Sequence, residues 1–562
     1  MPLTSSPDFS RTAIDRSQTR SMILSSRGIV ASEHPLASQA GAVVLARGGH
    51  AVDAAIAANA VMGVVEPMMN GVGGDLFAIV YDGRSRQLQG INASGWAPAA
   101  LSLDFLRSRG LLEMPQTGIH PVTVPGAVAG WAMLRDRFGR QPLSELLAAA
   151  IRLADEGFPV TEIAAADWAG GESLLAGDPS AVKTYLPAGR APRTGEIFRN
   201  PDLAWTLTQI AARGPEAFYC GDVAQRLLAC SRRHGGAMSA ADLAEFQAEW
   251  VTPISTTYRG WTVYELPPNG QGVAALSMLN ILENFPLGEY GHNSVDALHL
   301  MIEAKKLAYA DMIRYVADPR VVHVPVAGML SKAYARERAA LIDLTTAGRD
   351  VLAGNLAARD SDTIYLSVVD GDGNMVSLIQ SNFASFGSGV VPDGLGFVLQ
   401  NRGGRFRMDP AHPNALAPRK RPLHTIIPAF MSRGDVRAAF GIVGGWNQSQ
   451  AHVQFVSNIV DHGMNIQAAL EAPRFTKITF EGRDVVMEGR IAEPVRAALS
   501  RRGHEIEVRG SLSSIVGCGQ SVMRDGATGV SCGASDPRRD GAAIPEPIGF
   551  RDMVVDSSAD RD

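Results

Sequence analysis

Two short stretches carry residues whose types and placing could do acyl chemistry. In SDTIYLSVVDGDGNMVSLIQS (residues 361–381) a threonine, Thr363, opens a strand, and in GIVGGWNQSQ (441–450) a glycine pair, Gly444 and Gly445, follows one. A threonine hydroxyl is a poor nucleophile alone and needs a base within hydrogen-bond reach. The tetrahedral intermediate it would form needs N–H donors aimed at its oxyanion, and one strong donor is worth about 3–4 kcal/mol. Taken singly, each feature has an ordinary explanation, since threonine is common in strands and a glycine pair turns a chain. The anomaly is that Asp362-Thr363 stands bare at the strand entrance, with no capping or turn logic. Rival hydrolytic machinery leaves no signature: there is no G-x-S-x-G elbow and no H-E-x-x-H pair.

The elements that must hold these residues can be read from periodicity. Along Thr363–Val369, Ile364, Leu366 and Val368 share one apolar face, and Thr363, Tyr365 and Ser367 share the other. Asp370-Gly-Asp-Gly-Asn374 supplies the reversal, and 375–382 returns as the partner strand. Upstream, 34–66 reads as a pair of small-residue helices broken at Arg47-Gly48-Gly49, followed by a glycine-rich loop at 70–74 and a strand over 76–81. That loop is either a tight turn or a place of close backbone approach. A phosphate cradle would need Lys and Ser/Thr to follow, and neither does. Residues 121–318 read as mostly helical. Beyond about 353 the texture changes to strands and glycine turns, which sets a boundary near 360, and the last eleven residues read as frayed.

Composition narrows the partners. A chain of 562 residues with 46% hydrophobic and 19% charged residues is globular, with length for two to four domains or one elaborated one. A formal net charge of -5 gives no footprint for nucleic acid. Four cysteines without a C-x-x-C pair suggest neither a disulfide framework nor a thiolate metal site. The N-terminal residues lack the apolar core of a signal peptide, and no run of about 18 apolar residues suggests a membrane span. The expectation is a cytoplasmic protein acting on small molecules.

Five stretches downstream of Thr363 (FGSGVV, GFVLQNRGGRF, PRKRPLHTIIPAF, GIVGGWNQSQ, GASDPRRDGAA) and two upstream (ASEHPLASQAG, GGHAVDAAIAANAVMGVVEP) stand in a telling order. Together, over roughly residues 28–545, they resemble the γ-glutamyltranspeptidase family of N-terminal-nucleophile hydrolases. The resemblance implies an α+β fold, a four-layer αββα sandwich with a largely helical N-terminal portion. It also implies self-cleavage between Asp362 and Thr363 into a large subunit, 1–362, and a small one, 363–562, with a dimer of such heterodimers left open. The threonine opens a strand because it is to open a chain. Its new α-amine, with a pKa near 8 that desolvation lowers, is then the missing base. The resemblance assigns the oxyanion donors to Gly444 and Gly445 and a hydroxyl partner of the nucleophile to Ser381. No metal or organic cofactor is implied.

The substrate end departs from the family's γ-glutamyl pattern. Where family members look like R-E-x-A-P, this chain has NASGWAP (92–98), with Trp96 and no arginine. Where they carry an ammonium-binding aspartate, QNRGGRF (400–406) has Arg405, and His424-Thr425 replaces a Ser-Ser pair. A unit charge pair at about 4 Å is worth about 4 kcal/mol at an effective dielectric near 20, so the aspartate-to-arginine exchange disfavours a substrate ammonium. Arg402 or Arg405 could instead clamp a carboxylate, and Asn401, Arg402, Arg405, His424 and Thr425 are the expected substrate-binding set. LQNRG followed by KRPLHTIIP resembles a subgroup that includes oxamate amidohydrolases, cephalosporin acylases and glutathione-hydrolase-like proteins. The expected activity is hydrolysis of an oxamate or dicarboxylic monoamide type of donor. Two alternatives stay open: a γ-glutamyl hydrolase or transferase with a rebuilt pocket, and an unprocessed, inactive binding protein.

Overall fold

The computed structural model describes residues 18–348 and 362–548, with Asp362 described in its backbone alone. The first 17 residues of the polar N-terminal stretch, the boundary near 360 and the C-terminal residues expected to fray lie outside the described residues. No helix among the described residues is long and apolar enough to cross a membrane.

Two seven-stranded antiparallel sheets lie face to face between two helical layers, the αββα arrangement. The first sheet runs in the order Ala542–Pro545, Ile29–Ser32, Asp362–Val369, Met375–Phe383, Asp75–Asp82, Gln87–Ala93, Glu249–Val251. Strands from before and after residue 362 are interleaved in it, so the two parts of the chain share one core and build this sheet together. The second sheet runs Ile23–Ser25, Ser531–Ser535, Gly519–Asp525, Val436–Ile442, Ala429–Arg433, Trp261–Glu265, Ile254–Tyr258.

Side-chain alternation sorts the core into three layers. Ile364, Leu366 and Val368 face the first helical layer, where they meet the small-residue helices Pro35–Ala46 and Ala51–Val65. Those helices pack tightly because they carry so little side chain: a Cβ on Gly41 would lie 2.9 Å from the Ala54 carbonyl oxygen. Tyr365 and Val369 point the other way and pack with Phe430, Ala439 and Val522 between the sheets. The face of Thr363, Tyr365 and Ser367 is therefore as buried as the apolar one. The sequence suggested a strand with one greasy face, but polar atoms are accommodated between the sheets by hydrogen bonds such as Tyr365 Oη to Ser377 Oγ at 2.8 Å. The third layer packs helices Gly272–Leu282, Val295–Tyr315 and Gln448–Val460 on the second sheet.

The expected hairpin and the paired helices are present. The stretch 121–318, expected to be mostly helical, also holds five strands: Glu249–Val251, Ile254–Tyr258 and Trp261–Glu265 extend both large sheets, and Phe158–Pro159 pairs with Ile197–Phe198. Ile254–Tyr258 is too short and too polar on its outer face for periodicity to separate it from a loop.

Candidate active site

Thr363 sits where the hairpin ladder breaks. Asp362 pairs with Phe383 but Ile364 pairs with Gln380, so Ser381 and Asn382 together face the single residue Thr363, a β-bulge. The bulge turns Ser381 toward the threonine, and Thr363 Oγ1 donates to Ser381 Oγ at 3.1 Å. The N–H of Phe383, a residue with a left-handed φ of 80°, also donates to Ser381 Oγ, at 2.8 Å. The glycine-rich loop proves to be a close-approach device. A Cβ on Gly74 would meet the Ser381 carbonyl oxygen at 2.5 Å, and one on Gly73 would meet that of Val398 at 2.1 Å. Glycine there lets the loop lie against the nucleophile's partner strand.

Gly444 follows the end of strand Val436–Ile442 in a left-handed conformation, φ 114° and ψ 39°, and Gly445 follows with φ 58°. This corner leads through one 3₁₀ turn into helix Gln448–Val460. Among the described residues no protein acceptor takes the N–H of Gly444 or of Gly445. The corner is fixed from behind: Gln271 Nε2 donates to the Gly445 carbonyl at 2.7 Å, and Tyr309 Oη donates to that of Trp446. Thr363 and Gly444 line one cavity of 330 Å³, together with Ser385, Trp446, Cys518 and Arg539. That size suits a small acyl group. Thr363 is itself 1% exposed, so its hydroxyl meets the cavity and little bulk water.

The five residues expected to bind substrate come together, but not on the cavity wall. Arg402, fully buried, lies 3.8 Å from Asp75 Oδ2 through Nε, and its Nη1 donates to Thr425 Oγ1 at 2.5 Å. His424 Nε2 sits 2.9 Å from the same Asp75 oxygen. Burial, reinforced by Arg402, lowers the His424 pKa to about 4, which leaves the ring neutral. Burial also lowers the Arg402 pKa, to about 9. Arg402 and Arg405 both stand over the Phe383 ring, 4.4 and 4.6 Å from its centroid, and Arg405 lies 6.0 Å from that of Trp446. Asn401 accepts from the Ala384 N–H at 3.1 Å and donates to the Gln116 carbonyl at 2.7 Å. The layer pins the 383–385 loop beside Thr363. Arg402 and Arg405, expected to clamp a carboxylate, thus lie off this cavity, with Asp75 of the first sheet as the anion beside Arg402. Trp96 also stays away from the cavity, set edge-on to Phe246 with ring centroids 5.1 Å apart.

Sequence reasoning passed over two charged residues that border the cavity, Asp167 and Arg539. Arg539 lay inside a quoted motif, GASDPRRDGAA, but nothing in a row of two arginines tells which one faces a site. Its neighbour Arg538 turns inward onto Glu488 and Asp536, at 2.6 and 3.0 Å. Asp167 lies on helix Glu162–Gly170, whose pattern shows only a helix. Behind Arg539 are two buried acids, Glu33 and Glu66. Burial raises the Glu33 pKa to about 7 and that of Glu66 well above its ordinary value. Glu33 Oε1 accepts the Tyr365 N–H at 2.9 Å, continuing the ladder just past the end of strand Ile29–Ser32.

The sequence profile described as Gamma-glutamyltranspeptidase matches residues 37–546. The chain is 35% identical to the glutathione hydrolase-like YwrD proenzyme of Bacillus subtilis (strain 168), covering 93% of this chain and 99% of that one. It is 37% identical to the acylase ACY 1 proenzyme of Pseudomonas sp. (strain SE83), covering 92% and 93%. The crystal structure of a cephalosporin acylase from Bacillus halodurans superposes with a TM-score of 0.89 at 42% identity, covering 96% of this chain and 99% of that one.

Proposed function

The chain belongs to the γ-glutamyltranspeptidase family and is an N-terminal-nucleophile hydrolase of the amidohydrolase and acylase kind. From that premise we propose that it cleaves itself before Thr363 and then hydrolyses an amide of a small anionic acyl donor through a threonyl ester. In the uncut chain Thr363 Oγ1 attacks the Asp362 carbonyl carbon, the Thr363 nitrogen leaves, and water hydrolyses the ester. A carboxylic acid ends the large subunit and a free amine begins the small one.

In the mature enzyme that amine takes the proton from Oγ1 as it attacks the substrate carbonyl. The oxyanion collects its charge beside the N–H groups of Gly444 and Gly445. Collapse expels the amine product, which carries off the proton, and leaves the acyl group on Oγ1. Water, activated by the same α-amine, releases the acid. Ser381 fixes the rotamer of the nucleophile through its hydroxyl contact.

The observation that carries this reading is the placing of Thr363 and Gly444 on one cavity, with Ser381 Oγ 3.1 Å from Thr363 Oγ1. To test it, mature protein is mixed with oxamate, glutaramate or glutathione, quenched in acid, and its peptides are weighed. The expected result is an acyl group on the peptide that begins at Thr363, and faster turnover of the amine-free donors. A clear preference for glutathione would instead assign a γ-glutamyl hydrolase or transferase.

A further inference from the structure

Asp167 and Arg539 stand on the cavity wall and have no part in the chemistry assigned above. They come from opposite sides of residue 362, and the same junction holds both. Asp540 Oδ2 accepts from the Ile163 and Ala164 N–H groups at the start of helix Glu162–Gly170, at 3.2 and 3.4 Å. Arg539, next in sequence, pairs with Asp167 about one turn along from there. Because Arg538 is drawn into its own buried network, the direction of Arg539 toward the cavity is fixed.

The two partners differ in burial: the Arg539 side chain is 8% exposed and that of Asp167 28%. Asp167 is the outer and replaceable member. Arg539 also has donors to spare. Among the described residues its Nε meets no hydrogen-bond acceptor, with Glu33 Oε2 3.9 Å away, and its Nη2 has only the Met69 sulfur at 3.8 Å. A guanidinium offers five N–H donors in a planar fork that suits a carboxylate.

Resting on the proposed amidohydrolase reading, we infer that Arg539 is the specificity-determining residue for the acyl donor's charge, binding a carboxylate at the far end of the acyl chain. Asp167 is the stand-in anion that keeps the guanidinium paired while the cavity is empty and moves toward solvent when substrate enters. The exchange trades one carboxylate for another, so no buried charge is left unpaired, a state that would be costly. Burial holds Glu33 and Glu66 toward their neutral forms, and Asp167 is the acid paired with Arg539 on the cavity wall. A donor lacking the distal charge leaves the Arg539–Asp167 pair closed and gains nothing from it.

The test reads binding, so that it does not depend on turnover. Dissociation constants are measured by calorimetry on mature protein for the dicarboxylates from oxalate to glutarate, with pentanoate as the singly charged control. In wild type, one dicarboxylate should bind more tightly than pentanoate. Arg539→Gln should weaken that dicarboxylate by about tenfold to a hundredfold, the worth of a charge-assisted hydrogen bond, and leave pentanoate unchanged. Asp167→Asn should tighten it several-fold by removing the competitor. If Arg539→Gln does not fold, the partly exposed Asp167→Asn decides alone. Dicarboxylate binding that is equal to pentanoate in wild type, or that Asp167→Asn fails to tighten, overturns the inference. A missing acyl group on Thr363 with the predicted binding pattern intact would instead sink the amidohydrolase reading alone.

Discussion

Thr363 with Gly444 and Arg402 with Asp75 and His424 are two buried polar clusters on either side of the Phe383 loop, and they are built to opposite ends. In the first, donors and acceptors are left available: the N–H groups of Gly444 and Gly445 have no protein acceptor among the described residues, and the threonine opens onto a cavity. In the second, charge meets charge inside the protein, with Arg402 fully enclosed against Asp75 and Thr425. A buried polar group that remains unsatisfied costs stability, so a protein keeps such groups where chemistry will use them. The comparison separates polar groups that border a cavity from a charged support closed inside the protein.

The comparison breaks most completely with Thr363→Ala. Loss of the hydroxyl should leave the chain as one piece on a denaturing gel and reduce amide turnover to background. Gly444→Ala comes next. It forces a side chain into a φ of 114° and sets a Cβ 3.3 Å from that of Asn447. Tilting the oxyanion donor should lower kcat by about 10²–10³-fold, measured by steady-state kinetics. In the supporting cluster, Arg402→Met should act on stability, because it strips Asp75 of a charged partner, a loss of about 3–5 kcal/mol. A thermal melt should show the drop, and the preference for dicarboxylates over pentanoate should survive.

The smallest effect is a pH dependence. The folded pKa of Glu33 is raised from 4.5 to about 7, so the folded state holds a proton that the unfolded state gives up in that window. The contribution is present below pH 4.5 and is lost as pH rises through about 7. Glu33→Gln has no such loss. The difference in melting temperature, variant minus wild type, should therefore climb between pH 4.5 and 7 and flatten outside it.

The nucleophile cluster was legible because its parts are fixed by local backbone. Thr363 starts a strand, the glycines follow one, and the order of motifs along the chain implied the sandwich. Alternation along 363–369 correctly separated the two faces of the strand. The three short strands between 249 and 265 were missed because such segments carry too few residues for a period of two. The wall of the cavity was illegible for a different reason. Arg402 lies inside the protein beside Asp75, more than 300 positions away from it in the sequence, while Arg539 borders the cavity. Charge type can be read from the sequence, but burial and partners cannot. Asp167 gave no signal beyond its helix.

The central claim is that the working nucleophile is a chain terminus, and the most direct test is to weigh catalytically active protein and sequence its fragments from their amino ends. The account predicts two fragments, the smaller starting Thr363-Ile364-Tyr365 with an unmodified α-amine. Active protein with a single uncut mass near 59.7 kDa would contradict it.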